Sequence, residues 1–413
     1  MKNIYFWGIE WYYKGMKLIK RPIYLNQLIS LYGTPDIKVI TGVRRSGKSV
    51  LMKQYAEWLK ISHPTTNVIQ INMQELENDF LADYHHLHTY ALEHFKKGCQ
   101  NVLIIDEIQL CPHFELAINS LYVKEMFDMY VTGSNAFLLS SDLATLFTGR
   151  TMQVEILPFS FSEFLLYTEN NAVDDAFDAY CHHGGFPGSY VYSTEKQKYD
   201  YVKDVYQTIV FRDLVQKYRI RNKQELLSLS SFLMDNIGNL TSPKNISEAL
   251  CNEHGHITSK TVANYIGYLE NAFVFYKVDR YDIKGKRYLQ SNTKHYLVDP
   301  SIRYAVLGTK NMDYGRMYEN LVYLELMRRG YEVYVGKLYT KEVDFVVRNQ
   351  NSQCYIQVCD DISTPRTLRR ECVPLLSIKD AYPKMILART HHETYDKDGI
   401  IIQDLARWMA KTE

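Results

Sequence analysis

The segment GVRRSGKS, residues 42–49, follows the apolar run IKVIT and opens SVLMKQYAEWLK, which has the composition of an amphipathic helix. It fits the pattern G-x-x-x-x-G-K-[ST], and a strand before it and a helix after it are the context in which this pattern binds phosphate. Gly42 and Gly47 permit a backbone whose N–H groups and helix N-terminus face an anion. We therefore predict a nucleotide-binding loop rather than a chance glycine-rich turn. Its predicted residues are Gly42, Val43, Arg44, Arg45, Ser46, Gly47, Lys48, Ser49 and Val50.

A second, acidic element is expected downstream of such a loop, and NVLIIDEIQ supplies it at residues 101–109. We predict that Lys48 contacts the terminal phosphates and that Ser49 and Asp106 hold Mg²⁺. Glu107 then orients and polarises the attacking water, because phosphoryl transfer depends mainly on positioning and on charge stabilisation. Two acids at a strand end are by themselves often only solubilising residues, but beside this loop they predict a catalytic pair.

Two further catalytic candidates follow along the chain. The run MYVTGSN, residues 129–135, is another strand that ends in polar residues, so Ser134 or Asn135 is a candidate sensor of the γ-phosphate. Polar strand ends also occur without any such role. Arg150, in LFTGR, is a candidate arginine finger for its own site or for the site of a neighbouring copy. The alternative is a solvated surface arginine.

The order of short apolar runs predicts the fold class. IKVITG, NVIQIN, NVLIID and MYVTGS alternate with helical stretches between residues 34 and 155. Short buried strands separated by helices indicate a parallel sheet that is covered on both faces, so this region is predicted to be an α/β domain. Residues 1–33 before it are predicted to form a helical lead-in, and residues 156–240 after it are predicted to be mostly amphipathic helix.

Together, GVRRSGKS, LIIDEIQ, VTGSN and TGR, with the tail EVDFVV…YIQVC, resemble a large family of prokaryotic predicted ATPases. In that family an AAA-like module, from the additional-strand, catalytic-glutamate division of P-loop NTPases, is fused to a C-terminal domain of unknown function. The resemblance covers nearly the whole chain. It implies ATP as the nucleotide and a helical lid near residues 156–200, and it implies no particular substrate. The choice of ATP over GTP rests on this resemblance, since no base-reading motif is visible.

Residues 241–304 have the outline of a winged helix, namely two helices followed by a β-hairpin. The helices are NISEALCNE and SKTVANYIGYLEN, and the strands FVFYKVDRYD and KRYLQSNTKHYLVD are joined by the turn KGK. The second helix and the basic wing tip suit contacts to the phosphates of double-stranded DNA, while a protein contact or a merely solvated tip is the alternative. The residues concerned are Ser259, Lys260, Thr261 and Asn264 on the helix and Lys284, Lys286 and Arg287 at the tip.

Residues 305–413 resemble the restriction-endonuclease-like fold, whose metal site takes acids from a helix and two adjacent strands. Glu319 and Asp344 occupy the matching places, Gln357 stands where the third acid is expected, and Cys359 stands where the family has a lysine. We therefore expect a nuclease-like α/β domain that has lost nuclease activity. The alternative is that these acids lie on the surface of an ordinary α/β domain. The lysines considered as replacements for the missing one are Lys337 and Lys341.

Composition and length agree with this multidomain reading. The chain has 413 residues, 46% of them hydrophobic and 23% charged, which suits a globular protein of two to four domains. The formal net charge of +1 provides no overall field for nucleic acid or for membrane, so any such contact must be a local patch. No apolar run is long enough to cross a bilayer, no signal peptide is visible, and the seven cysteines form no CxxC pair. We therefore predict a cytoplasmic protein without a membrane partner.

These predictions leave three hypotheses of function. The preferred one is a Mg²⁺-dependent ATPase whose cycle moves or switches a C-terminal half that contacts DNA or protein. The second is a nucleotide-gated regulatory or defence module with slow hydrolysis. The third is an ATP-dependent nuclease, against which the missing lysine argues. A homo-oligomer would let Arg150 act between copies, but the sequence leaves ring, dimer and monomer open.

Overall fold

The computed structural model describes residues 12–13, 16–133, 147, 149–254, 257–309, 313–350 and 352–411. Within these ranges no helix is both long enough and apolar enough to span a membrane. The strands are β1 (Tyr12–Tyr13), β2 (Met16–Lys17), β3 (Ile37–Thr41), β4 (Asn67–Asn72), β5 (Asn101–Asp106), β6 (Asp128–Thr132), β7 (Thr151–Glu155), β8 (Phe275–Asp282), β9 (Arg287–Leu297), β10 (Glu332–Leu338), β11 (Lys341–Arg348), β12 (Gln353–Cys359), β13 (Lys384–Ala388), β14 (Tyr395–Lys397) and β15 (Ile400–Asp404).

The helices of the same ranges are α1 (Pro22–Ser30), α2 (Lys48–Ser62), α3 (Tyr84–Glu93), α4 (Phe114–Val123), α5 (Phe161–Thr168), α6 (Val173–His183), α7 (Glu195–Thr208), α8 (Lys223–Asp235), α9 (Pro243–His254), α10 (Ser259–Asn271), α11 (Pro300–Leu307), α12 (Tyr314–Arg328), α13 (Pro365–Leu376) and α14 (Leu405–Ala410). Short 3₁₀ segments cover Leu76–Ala82, Ile108–Leu110 and Pro187–Val191. Directly after α7, the segment Ile209–Val215 is π-helical.

The N-terminal sheet has the strand order β4-β5-β6-β3-β7, and all of its pairings are parallel. Strand β6 lies between β3, which precedes the phosphate-binding motif, and β5, which carries the acidic pair. This is the additional strand that the family resemblance implies. Helices α1 and α2 pack on one face of the sheet, and α3 and α4 pack on the other. The predicted α/β fold, with a parallel sheet covered on both faces, is therefore confirmed.

Of the described residues in the predicted lead-in, only Pro22–Ser30 is helical. Helix α1 begins only at Pro22, which occupies the first helical turn, and Arg21 before it has non-helical backbone angles. Tyr24 and Leu28 of α1 are buried in the core that the helix shares with α2 and the sheet. The helix is therefore part of the sheet domain, and the predicted boundary after residue 33 does not separate two packing units.

A helical region, made of α5 to α8 and the π-helical segment, follows the first sheet. It begins with a capping box, in which Ser160 Oγ accepts from the N–H of Glu163 and the Glu163 carboxylate accepts from the N–H of Ser160. One apolar core runs from this region into the second sheet, and it includes Val43 from the loop after β3. The helical region is thus packed against both the phosphate-binding motif and the C-terminal half.

The second sheet has eight strands in the order β14-β15-β13-β12-β11-β10-β8-β9. The predicted hairpin is present as β8 and β9, but β8 also pairs in parallel with β10, opposite Val335, Gly336 and Lys337. Val278 of β8 faces one apolar core and Tyr281 faces another, so both faces of the strand are covered. The predicted boundary between residues 304 and 305 therefore crosses one continuous sheet, and the hairpin is not a free wing.

A buried arginine joins the N-terminal segment, the phosphate-binding motif and the helical region. Arg21 is 3% exposed, and its guanidinium makes two 2.8 Å contacts with the Glu163 carboxylate. It also donates to the carbonyl of Ser46 at 3.0 Å and to the carbonyl of Leu157 at 2.8 Å. Arg328 of α12, in the C-terminal half, donates to the carbonyl of Pro158 at 3.1 Å. The segment between β7 and α5 is therefore held by two guanidinium groups.

Replacing Arg21 by Met leaves the Glu163 carboxylate buried without its charged partner. Breaking a buried ion pair on one side costs about 3–5 kcal/mol, and we expect Arg21→Met to lose that much unfolding free energy in equilibrium urea unfolding. Lys60→Met is the matched control, because the Lys60 side chain is 54% exposed. Its pair with Glu57 should contribute about 0.5 kcal/mol. Equal losses in the two variants would contradict the role given to Arg21.

Candidate functional site

The loop of residues 42–47 connects β3 to α2 by a backbone path that needs glycine at two points. Gly42 has a φ of +129° and Gly47 a φ of +100°. A Cβ on Gly42 would lie 2.2 Å from the carbonyl oxygen of Ile156. Gly47 directly precedes α2, whose first N–H groups lack partners within the helix and are available to an anion. Arg45 also has a positive φ and is exposed.

Lys48 is buried at the start of α2, with 5% of its surface exposed. Its ammonium donates to the carbonyl oxygens of Gly42 at 2.9 Å and of Val43 at 3.0 Å. Burial lowers the pKa of Lys48 to about 8, although the nearby Glu107 and Asp106 carboxylates oppose that shift. The side chain is therefore folded back onto its own loop, where it can exchange two neutral carbonyls for phosphate oxygens.

The predicted acids lie beside the start of the same helix. The Ser49 hydroxyl is hydrogen-bonded to the Asp106 carboxylate, and Thr132 at the end of β6 donates its hydroxyl to that carboxylate as well. Burial raises the pKa of Asp106, against the effect of these two hydrogen bonds. Glu107 has a φ of +58°, its N–H donates to Thr132 Oγ1 at 3.0 Å, and its carboxylate accepts from Gln109. Four predicted site residues are therefore neighbours at the carboxyl ends of β3 and β5.

Two contacts that the sequence analysis missed join this site to later parts of the chain. Arg44 of the loop lies 3.6 Å from Asp213 of the π-helical segment. Tyr276 of β8 donates its hydroxyl to Glu155 at the end of β7. Burial raises the pKa of Glu155, and the nearby Lys48 ammonium opposes that shift. A π-helical turn after an α-helix is often found at functional positions, but it has no sequence pattern of its own.

The remaining catalytic candidates have different outcomes. Ser134 and Asn135 lie outside the residues that the structure describes. Arg150 precedes β7, and its carbonyl accepts from the N–H of Ile37 at the start of β3. It is therefore at the amino-terminal edge of the sheet, about 16 Å of strand away from the loop, with its guanidinium over the Tyr122 ring. A role in its own site is wrong for this arrangement, and a role toward a neighbouring copy stays a prediction.

The side chains predicted to face DNA are mostly on the surface, and Thr261 is half-buried. At the tip between β8 and β9, Lys284 lies 4.5 Å from the centroid of the Tyr339 ring, and Arg287 lies 3.5 Å from Asp282. Lys284, Lys286 and Arg287 face one acid, Asp282, so the tip carries more positive than negative charge. The exposed residues of the predicted set are Ser259, Lys260, Asn264, Lys284, Lys286 and Arg287.

The predicted endonuclease-like residues also meet, but they do so around a lysine from another strand. Glu319 of α12, Asp344 of β11 and Gln357 of β12 are each at most 9% exposed, so the surface-acid alternative is wrong. The Lys294 ammonium of β9 lies 2.7 Å from Glu319, 2.7 Å from Glu342 and 4.0 Å from Asp344. Burial and the Glu319 charge raise the pKa of Asp344 well above its usual range. Burial alone would lower the pKa of Lys294, but the surrounding carboxylates raise it.

A second acidic group lies between the helical region and the end of the second sheet. Asp174, His391 and Asp404 bring one potential ligand atom each to within 4.8 Å of one another. The Arg389 guanidinium lies 2.8 Å from Asp174 and 3.6 Å from Asp404. Because the Arg389 guanidinium already pairs with two of the three potential ligands, we interpret the group as an ion-pair network that joins α6 to the second sheet.

The close approach at Gly42 predicts a large cost for one added methyl group. Gly42→Ala places a Cβ 2.2 Å from a backbone oxygen at a φ of +129°, so we expect it to lower the unfolding free energy by more than about 3 kcal/mol. Gly98→Ala is the matched control, because Gly98 has a φ of +88° but nothing lies within 4 Å of its added Cβ. It should cost only backbone strain of about 1 kcal/mol. Similar losses in urea unfolding would contradict the tight packing of the loop on Ile156.

Two family models match this chain, and solved structures of other proteins align with it. Residues 34–165 match a family described as AAA domain, and residues 174–313 match a domain of unknown function, DUF8612. The structure of the Aeropyrum pernix ORC1 protein in complex with DNA aligns with 70% of this chain and 92% of its own, at 11% identity and a TM-score of 0.31. The replication initiator DnaA bound to AMPPCP and single-stranded DNA aligns with 60% of this chain and 86% of its own, at 15% identity and a TM-score of 0.31.

Sequence relatives cover nearly the whole chain. An uncharacterized protein of Haemophilus influenzae is 37% identical over 398 residues, which are 95% of this chain and 98% of that protein. The uncharacterized protein MJ1544 of Methanocaldococcus jannaschii is 30% identical over 384 residues, which are 89% of this chain and 84% of that protein. These alignments extend well beyond the AAA-domain match into the C-terminal half. The chain therefore belongs to a prokaryotic family of P-loop proteins in which an AAA domain is joined to a domain of unknown function.

Proposed function

We propose that this chain binds ATP with Mg²⁺ and hydrolyses it, in a cycle that changes the state of its C-terminal half. The observation that carries the proposal is the meeting of Lys48, Ser49, Asp106 and Glu107 at one edge of the parallel sheet, where α2 begins. The AAA-domain match over residues 34–165 supports the same chemistry. ATP, rather than GTP, is taken from the family resemblance.

Each of the four residues has its own part in the proposed reaction. Lys48 leaves the two loop carbonyls and pairs with the terminal phosphate oxygens. The Ser49 hydroxyl and the Asp106 carboxylate are adjacent oxygen donors, which is the kind of donor set that fits Mg²⁺. When bound, Mg²⁺ neutralises charge on the phosphate oxygens. Glu107 gives up its contact with Gln109 and orients the attacking water.

The proposed cycle reaches the rest of the chain through two contacts at the rim of the site. The pair of Arg44 and Asp213 connects the loop to the π-helical segment, and the bond between Tyr276 and Glu155 connects β7 to β8. A terminal phosphate brings negative charge toward both contacts. It competes with Asp213 for the guanidinium of Arg44, and it repels the Glu155 carboxylate. The helical region and the hairpin therefore both respond to the nucleotide.

Double-stranded DNA is the partner we propose for the C-terminal half. The exposed front of α10 and the basic tip between β8 and β9 support it, because phosphate contacts of this kind position a protein on a duplex. A nucleotide-gated switch with a protein partner and slow hydrolysis is the second candidate. The bond from Gln109 to Glu107 favours that candidate, because it restrains the group that would activate water.

Phosphate release from ATP by the full chain with Mg²⁺ tests the catalytic assignment. Glu107→Gln should keep ATP binding and lose roughly 100-fold or more in turnover, because it removes the group that positions water. Lys48→Ala should lose both binding and turnover, because the phosphates lose their ammonium. Gln70→Glu is a matched control on β4, outside the site. Normal turnover in Glu107→Gln would sink the assignment.

Adding double-stranded DNA to the same assay separates the two candidate functions. Turnover that DNA stimulates, and that Lys48→Ala abolishes, supports a DNA-coupled ATPase. Stimulation should then fall steeply as salt rises, since the contact consists of a few lysines and arginines. Slow turnover that is indifferent to DNA supports the nucleotide-gated switch with a protein partner.

The contact between Tyr276 and Glu155 predicts that nucleotide binding alters the dynamics of β8. With a non-hydrolysable ATP analogue, we expect amide hydrogen exchange to change in both α2 and β8 of the wild type. Tyr276→Phe should keep the change in α2 and lose the change in β8, because only the bridging hydroxyl is removed. Tyr334→Phe is the matched control, since its hydroxyl bonds Glu332 on the same sheet, away from the site. An unchanged β8 response in Tyr276→Phe would exclude this route.

A further inference from the structure

The restriction-endonuclease-like arrangement implies a divalent cation between α12 and the adjacent strands. In this chain, one carboxylate oxygen of each of the two acids that would bind it already accepts a hydrogen bond from the protein. Oε1 of Glu319 accepts from Lys294 at 2.7 Å and also from the Tyr296 hydroxyl. Oδ2 of Asp344 accepts from the N–H of Val358 at 2.8 Å. One oxygen of each acid is therefore already bonded to a group of the protein itself.

Gln357, at the third position of the family's metal site, is also hydrogen-bonded to the protein. Oε1 of Gln357 accepts from the N–H of Asp344 at 3.3 Å, and its amide nitrogen donates to Glu371 at 3.2 Å. Its carbonyl oxygen is therefore held by the backbone of the neighbouring strand. Cys359, two residues later, is buried, and burial raises the pKa of its thiol, so it stays neutral. Neither residue supplies the acid or the ammonium that the family pattern requires.

Lys294 lies in the centre of this cluster. Its side chain is 3% exposed, and its ammonium is 2.7 Å from both Glu319 and Glu342 and 4.0 Å from Asp344. A divalent cation would need the same carboxylate oxygens at about 2.0–2.6 Å. It would then lie next to a buried positive charge that has no access to solvent. The residues present therefore do not fit the cation.

We propose that the Lys294 ammonium takes the place of the divalent cation. The endonuclease-like cluster is then a structural ion-pair network, called the joint below, that holds neighbouring elements together. The joint connects β9, which carries Lys294, to α12 through Glu319 and to β11 through Glu342. The turn after α8 packs on the same cluster, since a Cβ at Gly238 would lie 3.3 Å from Oε2 of Glu319. The hairpin of β8 and β9 is thereby attached to the rest of the second sheet by charge as well as by backbone hydrogen bonds.

The position of Lys294 also distinguishes it from a catalytic lysine that has moved to a new strand. Such a lysine must face water and the scissile phosphate, whereas this one is enclosed and points at carboxylates on its own protein. Lys341, which the sequence offered as a replacement, is exposed and donates to Ser377 Oγ at 2.9 Å. The proposal therefore excludes cleavage at this cluster and assigns it to stability.

The test compares the full chain with Lys294→Met and Lys284→Met, without nucleotide, by thermal unfolding with and without Mn²⁺. Lys284 is the matched control because it lies on the same hairpin and is exposed. We expect Lys294→Met to lower the melting temperature by roughly 5–10 °C, because three carboxylates lose their cation. Mn²⁺ should restore much of this loss in Lys294→Met and have no such effect in the double variant with Glu319→Gln. Lys284→Met should melt like the wild type, with and without Mn²⁺.

Two results would overturn the proposal. One is a Mn²⁺ site in the wild type that Glu319→Gln removes, measured by calorimetric titration. The other is Mg²⁺-dependent nicking of supercoiled DNA by the wild type that Lys294→Met abolishes. If Lys294→Met does not fold, the titration still decides, because the proposal expects the wild type and Glu319→Gln to bind Mn²⁺ equally.

Discussion

Two buried guanidinium groups, those of Arg21 and Arg328, converge on the carbonyls of residues 157–159, and the rest of the structure depends on this convergence. The segment leaves the first sheet after β7, so these carbonyls have no strand partner, and a buried unpaired carbonyl costs about 1–3 kcal/mol. The same segment touches Gly42 on one side and Gly185 on the other. The phosphate-binding loop therefore takes its shape from parts of the chain that are far apart in sequence.

This packing also explains the electrostatics of the candidate site. Lys48 is enclosed by its own loop before any anion is present, so it loses hydration and its pKa falls. The Asp106 and Glu107 carboxylates and two carbonyl dipoles partly compensate for that loss. A phosphate that replaces the dipoles supplies full negative charge in the same low-dielectric place. In the proposed function, the fold thus places the Lys48 ammonium where an anion binds, and the ammonium loses hydration because of that placement.

Local sequence patterns predicted the site residues that lie within a few residues of a strand end. The positions of the other residues depend on pairing between segments that are distant in the sequence, which no local pattern shows. Asp106 was predictable because its strand and its acid are adjacent in the sequence. Glu155 and Tyr276 are 121 residues apart, and Lys294 reaches its cluster from a strand that no motif includes. Arg150 shows the intermediate case. Its motif was recognised in the sequence, but only the parallel pairing of β7 with β3 shows that Arg150 lies at the far edge of the sheet.

Strand β8 connects the features that the separate motifs left apart. Near one end, Tyr276 bonds Glu155 beside the phosphate-binding loop, and beyond the other end the turn carries the basic tip. Eight residues of strand span roughly 25 Å. Strand β9 pairs along β8 from Phe275 to Asp282, and β10 pairs with the last three residues of β8, next to the tip. The Lys294 cluster joins the partner strand to the sheet between these ends. In the proposed function, a change at Glu155 therefore reaches the hairpin through β8, and the buried charges around Lys294, in the structural role we propose for them, pass it to α12 and β11.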